Sequence, residues 1–101
     1  MHIAVLGPLE VLADDGARVA VPGAKERLLL AVLTAGAPEA VSTDRIVEAM
    51  WNGTAPATPR RSLQVHLVHL RTALEPDRPR GSTGRLVVRR GAGYALAADR
   101  E

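Results

Sequence analysis

The segment from Thr58 to Leu74 gathers the side chains able to do chemistry: Arg60, Arg61, Ser62, Gln64, His66, His69, Arg71 and Thr72, with no acidic residue between Leu63 and Leu74. Projected as a helix at about 100° per residue, Leu63, Leu67, Leu70 and Leu74 fall in one narrow stripe, the core face. Arg61, Val65, Val68 and Thr72 then point away from it, flanked by Ser62, Gln64 and His69. Arg60 and Arg71 lie nearer the core on one side and His66 on the other. A solvated helix face mixes charges of both signs and avoids paired valines at its centre.

In a DNA major groove such valines meet thymine methyl groups, Gln64 pairs with an adenine edge, and His69 donates to a base or phosphate oxygen. The helix pattern alone leaves a second occupant open, the surface of another protein. Arg60, Arg61 and Ser62 stand in the first turn, where free backbone amides and the positive dipole end suit a phosphate. That role positions a ligand without reading its sequence.

His66 and His69, three residues apart, have the look of a metal pair. They project about 60° apart on a helix, with no third ligand nearby in the sequence and no cysteine, so no metal site is expected. Catalysis is not expected either: the acidic residues that orient a histidine lie in other elements, and nothing resembles a strained nucleophile turn. No cofactor is implied.

A second basic cluster, Arg85, Arg89 and Arg90, precedes Gly91-Ala92-Gly93. Strand alternation puts Leu86, Val88 and Arg90 on one side and Val87 and Arg89 on the other. Arg89 and Arg90 are placed to reach a minor groove or run along phosphates, or simply to keep an edge strand from pairing.

These segments need elements to position them. Residues 2–6 and 9–13, and then Arg18 to Val21 after the Asp14-Asp15-Gly16 turn, read as a small antiparallel meander. Ala24 to Ala35 reads as a buried, central helix closed by Gly36. Val41 is a brief strand position, and Ser42 caps a short helix over 43–51. Asn52 to Ala57 is a loop, and Thr58-Pro59 supplies a cap and a first-turn proline for the long helix. Arg85 to Leu96 reads as strand, tight turn, strand. The fold class is α+β: an N-terminal antiparallel β-meander, three helices and a C-terminal β-hairpin.

A chain of 101 residues, 47% hydrophobic, has the size of one domain. The net charge of +2 is uneven: residues 51–101 carry nine basic and four acidic side chains, a half that either attracts a polyanion or is simply solvated. Zero cysteines remove disulfides and thiolate chemistry and agree with a reducing compartment, so a cytoplasmic location is expected. The N-terminus lacks a signal-peptide lead, and no apolar stretch reaches membrane-spanning length. One Trp, one Tyr and no Phe leave no stacking platform for single strands.

The order of elements resembles the OmpR/PhoB-type winged helix-turn-helix, and it is most similar to the DNA-binding domain of the actinobacterial antibiotic regulatory proteins (SARP family). The residues that carry the likeness are Leu6-Gly7-Pro8-Leu9-Glu10-Val11, Lys25-Glu26-Arg27-Leu28-Leu29, and the run Val41-Ser42-Thr43-Asp44-Arg45-Ile46-Val47-Glu48-Ala49-Met50-Trp51. Ser62 to Leu74 and Gly91-Ala92-Gly93-Tyr94-Ala95-Leu96 complete it. The likeness spans residues 1–97 as one domain, with 98–101 as a tail or the start of a linker.

The resemblance implies that the long helix enters the major groove of double-stranded DNA, with Val65 and His69 facing bases and Arg61, Ser62, His66 and Arg71 nearer phosphates. It gives Trp51 and Tyr94 backbone contacts and Arg90 a place in the wing. It further implies head-to-tail self-association on direct repeats, and contact of the loop Asn52, Gly53, Thr54, Ala55 and Pro56 with RNA polymerase, commonly its sigma subunit. A transcription activator of antibiotic-biosynthesis type, nucleoid-associated, is the expectation that follows. Larger members of that family continue into a helical activation domain. His69 and Val68 depart from the arginine and polar or basic residues common in relatives, which points to a more A·T-rich or methyl-rich site. The alternative is a winged-helix protein-interaction module that binds RNA polymerase or a partner domain without reading DNA.

Overall fold

Ser42 turns the chain from strand to helix: its backbone is extended and its hydroxyl accepts the Arg45 N–H at 3.2 Å, so one orphan donor of the first turn is satisfied as expected. Around that point the computed structural model describes residues 2–4, 10–12, 20–37, 39–54, 56–76, 86–97 and 99–100. Its elements run β1 (His2–Ala4), β2 (Glu10–Leu12), α1 (Ala24–Gly36), β3 (Val41–Ser42), α2 (Thr43–Trp51), α3 (Pro59–Leu74), β4 (Val87–Arg90), β5 (Gly93–Leu96) and β6 (Asp99–Arg100).

The three helices share one core. Leu29, Leu30 and Leu33 of α1 meet Ile46 and Met50 of α2 and Leu63, Leu67, Leu70 and Leu74 of α3, closed by Val41, Val87, Tyr94 and Leu96 from the strands. The leucine stripe expected on α3 is therefore the buried one, and it fixes which residues face outward. α1 is less enclosed than its composition suggests, because Leu28 and Ala31 are exposed on its far side. Gly36 does not close α1 in a left-handed turn. It is the last helical residue, and a Cβ there would stand 2.5 Å from Val41 Cγ2, so its small size admits β3 against the helix.

Thr58 makes no side-chain cap. Its carbonyl takes the Ser62 N–H at 3.0 Å, and Pro59 opens α3 as expected of a residue without an N–H.

One sheet has the order β3-β5-β4. Central β5 pairs antiparallel with β3, Val41 opposite Tyr94, and with β4, Val87 opposite Leu96. The wing turn is Gly91-Ala92, with Gly91 at φ +57°, and Gly93 already belongs to the strand. Thr43 ties this turn to the start of α2, its N–H and hydroxyl both donating to the Ala92 carbonyl at 3.0 and 2.9 Å.

The second sheet has the order β2-β1-β6, β1 antiparallel to β2 and parallel to β6. Two strands of the expected meander are thus described. Of its third, Arg18 and Val19 lie outside the described residues, and Ala20 and Val21 are not in a strand. Asp99 and Arg100, expected in a tail, form β6 instead, paired parallel with β1 on the side away from β2.

Candidate nucleic-acid interface

α3 is held on both flanks and open between them. On one flank Gln64 Nε2 donates to the Tyr94 hydroxyl at 2.7 Å, and Arg71 donates from Nη2 to the Val87 carbonyl at 3.2 Å. Arg71 also lies 5.9 Å from the Tyr94 ring centroid. On the other flank His66 Nδ1 lies 2.9 Å from Glu26 Oε2 and His69 Nδ1 3.5 Å from Glu26 Oε1.

Between the flanks the outward face carries Arg61, Val65, Val68 and Thr72, all exposed. Val65 and Val68 keep 49% and 50% of their surface. Val65 and Val68 thus form a half-exposed apolar pair on a helix otherwise anchored to both neighbours.

At the N-terminal end of this face, Arg60, Arg61, Gln64, Thr43, Arg89 and Tyr94 line one shallow pocket. Three arginines from two elements thereby converge beside the first turn of α3, and the turn adds its own amide donors. Arg60 Nη2 is 3.0 Å from Asp44 Oδ1 with both side chains largely exposed, a pairing that is weak in water. Ser62 is half-buried, and Arg90 is exposed beside Arg89 near the wing tip. Both arginines are exposed, so both faces of β4 are open to solvent at this end.

Several sequence-predicted residues are engaged inside the fold. Gln64 gives its amide to Tyr94, so an adenine contact must compete with that bond. Tyr94 belongs to the buried core and also lines the pocket, its hydroxyl taken by Gln64. Trp51 packs against the core, with its ring 6.0 Å from that of His66. Lys25 lies over the same indole at 5.3 Å and donates to the Met50 carbonyl. His66, expected near phosphates, points instead toward α1. In the loop expected to meet RNA polymerase, Asn52 and Gly53 adopt positive φ, and Thr54 donates from N and Oγ1 to the Trp51 carbonyl. Ala55 lies outside the described residues, and Pro56 is half-buried.

The absence of a third ligand near the two histidines is corrected. Glu26, His66 and His69 offer ligand atoms all within 4.8 Å of one another. The sequence separates Glu26 from His66 by forty positions, and packing of α1 on α3 closes that distance. A signal for it exists: Glu26 is the one charged residue on the buried stripe of α1. Thr43 was likewise unmarked, because its role depends on where the wing turn lands.

The geometry agrees with the chain's relatives. The family described as "Transcriptional regulatory protein, C terminal" matches residues 18–96. The transcriptional regulatory protein MoaR1 of Mycobacterium bovis, like that of Mycobacterium tuberculosis, is 36% identical over 70 residues, which is 69% of this chain and 22% of the relative. A solved structure of Mycobacterium tuberculosis EmbR in complex with a low affinity phosphopeptide superposes with a TM-score of 0.78 at 28% identity, covering 94% of this chain and 24% of that one. The chain therefore spans under a quarter of the length of these proteins. The family is a regulatory one and not an enzyme family. Among the described residues no helix is long and apolar enough to cross a membrane. From its helix order, wing and family match, the chain belongs to the transcriptional regulatory protein C-terminal family, as an OmpR/PhoB-type winged helix-turn-helix domain of the kind found in SARP-type regulators.

Proposed function

We propose that this domain binds a double-stranded DNA operator with α3 in the major groove and the β4–β5 hairpin along the neighbouring backbone. The observation that carries the reading is the convergence of Arg60, Arg61 and Arg89 on one pocket at the start of α3, beside the exposed Val65 and Val68. Cations hold phosphates and set the register, and apolar side chains on the same face read base edges. Family membership supports this: MoaR1 is by its name a transcriptional regulatory protein.

In this reading Val65, Val68 and His69 face bases, while Arg60, Arg61, Ser62 and Thr72 serve the strand backbones. Arg89 and Arg90 serve the flanking groove. Domains pair head-to-tail on direct repeats, and the loop 52–56 contacts RNA polymerase at its sigma subunit, so that the regulator acts as an activator at the nucleoid.

A mobility-shift titration against a selected direct repeat and a random duplex, at two salt concentrations, tests the reading. Preference for the repeat, with affinity falling steeply in salt, is expected. Equal weak binding to both duplexes would sink sequence reading. Capture of RNA polymerase with no DNA footprint would favour a protein-interaction module.

A further inference from the structure

We propose that Glu26, His66 and His69 form a binding site for a divalent transition-metal ion of the zinc class, bridging α1 and the flank of α3. Two imidazoles and one carboxylate make a ligand set that zinc uses with a fourth position left to water or another donor. Calcium and magnesium, which take oxygen ligands, are poorly served by two nitrogens.

The spacing fits. A tetrahedral zinc ion with bonds of about 2.0 to 2.1 Å holds its ligand atoms about 3.3 Å apart. Glu26 Oε2 is 2.9 Å from His66 Nδ1 and Oε1 is 3.5 Å from His69 Nδ1, and one ligand atom from each of the three residues lies within 4.8 Å of the others, a set near that edge which closes onto an ion by side-chain rotation. Binding seats the ion between these side chains, and any proton on a coordinating nitrogen or carboxylate oxygen passes to solvent.

Burial divides the roles. The Glu26 side chain is 11% exposed and that of His66 24%, while His69 is 60% exposed, so two ligands are fixed by packing and the third closes from the solvent side. An open groove lined by Pro22, Gly23, Thr72 and Ala73 reaches Glu26 and His69 and gives the ion its entry. Gly23 has a part in this, since a Cβ there would stand 2.5 Å from Glu26 Oε1 and displace the carboxylate. The His66 and His69 rings meet edge to face with centroids 6.5 Å apart, and Trp51 backs His66.

The test is independent of DNA reading, because uptake of the metal alone is measured, although His69 belongs to both readings. The untagged chain, stripped with chelator, is titrated with zinc chloride by calorimetry and with cobalt(II) chloride by visible absorption and tryptophan fluorescence. Expected are one ion per chain and quenching of the single tryptophan by cobalt, since His66 stands 6.0 Å from Trp51. His69→Ala, at an exposed position, should keep its circular dichroism and lose affinity by about tenfold or more. Glu26→Gln should do likewise wherever it folds. His2→Ala, which removes the remaining histidine, should bind as the parent does. Absence of one-to-one uptake by the folded chain, undiminished uptake by His69→Ala, or loss of uptake in His2→Ala would each overturn the site.

Discussion

Gln64 donates its side-chain amide to the phenolic oxygen of Tyr94 at 2.7 Å, which binds one flank of α3 to the central strand of the wing sheet. Arg71, two turns further along α3, donates to the Val87 carbonyl of β4. The helix and the hairpin are thus linked on the side where Arg60, Arg61 and Arg89 converge, so the pocket depends on that joint.

Tyr94→Phe keeps the ring in the core and removes the acceptor. A neutral hydrogen bond of this kind contributes about 1 kcal/mol, and urea denaturation should show a loss of that size. Adding Gln64→Ala to Tyr94→Phe should then cost less than Gln64→Ala alone, because neighbours that share a bond are not additive.

Leu67→Ala and Val68→Ala separate core from face within one turn. Leu67 is fully buried and Val68 half-exposed, so the first should lower stability by about 2 to 5 kcal/mol and the second by about 0.5 kcal/mol or less. Selection from a random duplex pool should nevertheless show an altered base preference for Val68→Ala, with the fold intact.

Gly91 and Gly93 should respond differently to alanine. A Cβ on Gly93 would run into the Val41 carbonyl, with its carbon 2.7 Å away and Ser42 Cα 2.9 Å away, and backbone there has no room to yield. Gly91 has open space but a positive φ of 57°, which costs an L side chain about 1 to 2 kcal/mol. Thermal denaturation should therefore rank Gly93→Ala as the more damaging, by separating β3 from β5.

Arg61→Ala and Asp44→Asn should move DNA affinity in opposite directions. Loss of one phosphate contact lowers the slope of log affinity against log salt by about one and weakens all sequences alike. Asp44 is exposed and holds Arg60 at 3.0 Å. Its neutralisation frees that guanidinium for phosphate, so non-specific affinity should rise, with a stability loss of no more than about 1 kcal/mol from the charge removed at the first turn of α2. Fluorescence anisotropy with a random duplex, across a salt series, reads both.

Much of the fold was legible because its signals are local. The leucine repeat of α3 has one period and one buried face, and Ser42 and Pro59 act through their own backbone neighbourhood. Gly36 misled because a glycine after an apolar run means either a left-handed cap or a close approach, and only the position of Val41 distinguishes them. Thr58 made the right boundary for a different reason, through its carbonyl and not its hydroxyl.

By itself the sequence determined the three helices, the wing hairpin, the outward valines and the basic first turn of α3, since periodicity and capping depend on residues within a few positions of one another. Tertiary structure alone decided who partners the flanks of that helix. Gln64 and Tyr94 are thirty residues apart and Glu26 and His66 forty, and such pairs exist only once three helices have buried a common core. Hydrogen-bond partners at that range follow from how faces pack, which no local pattern encodes. That packing also placed a buried carboxylate between two histidines, turning an unpromising pair into a site with three ligands.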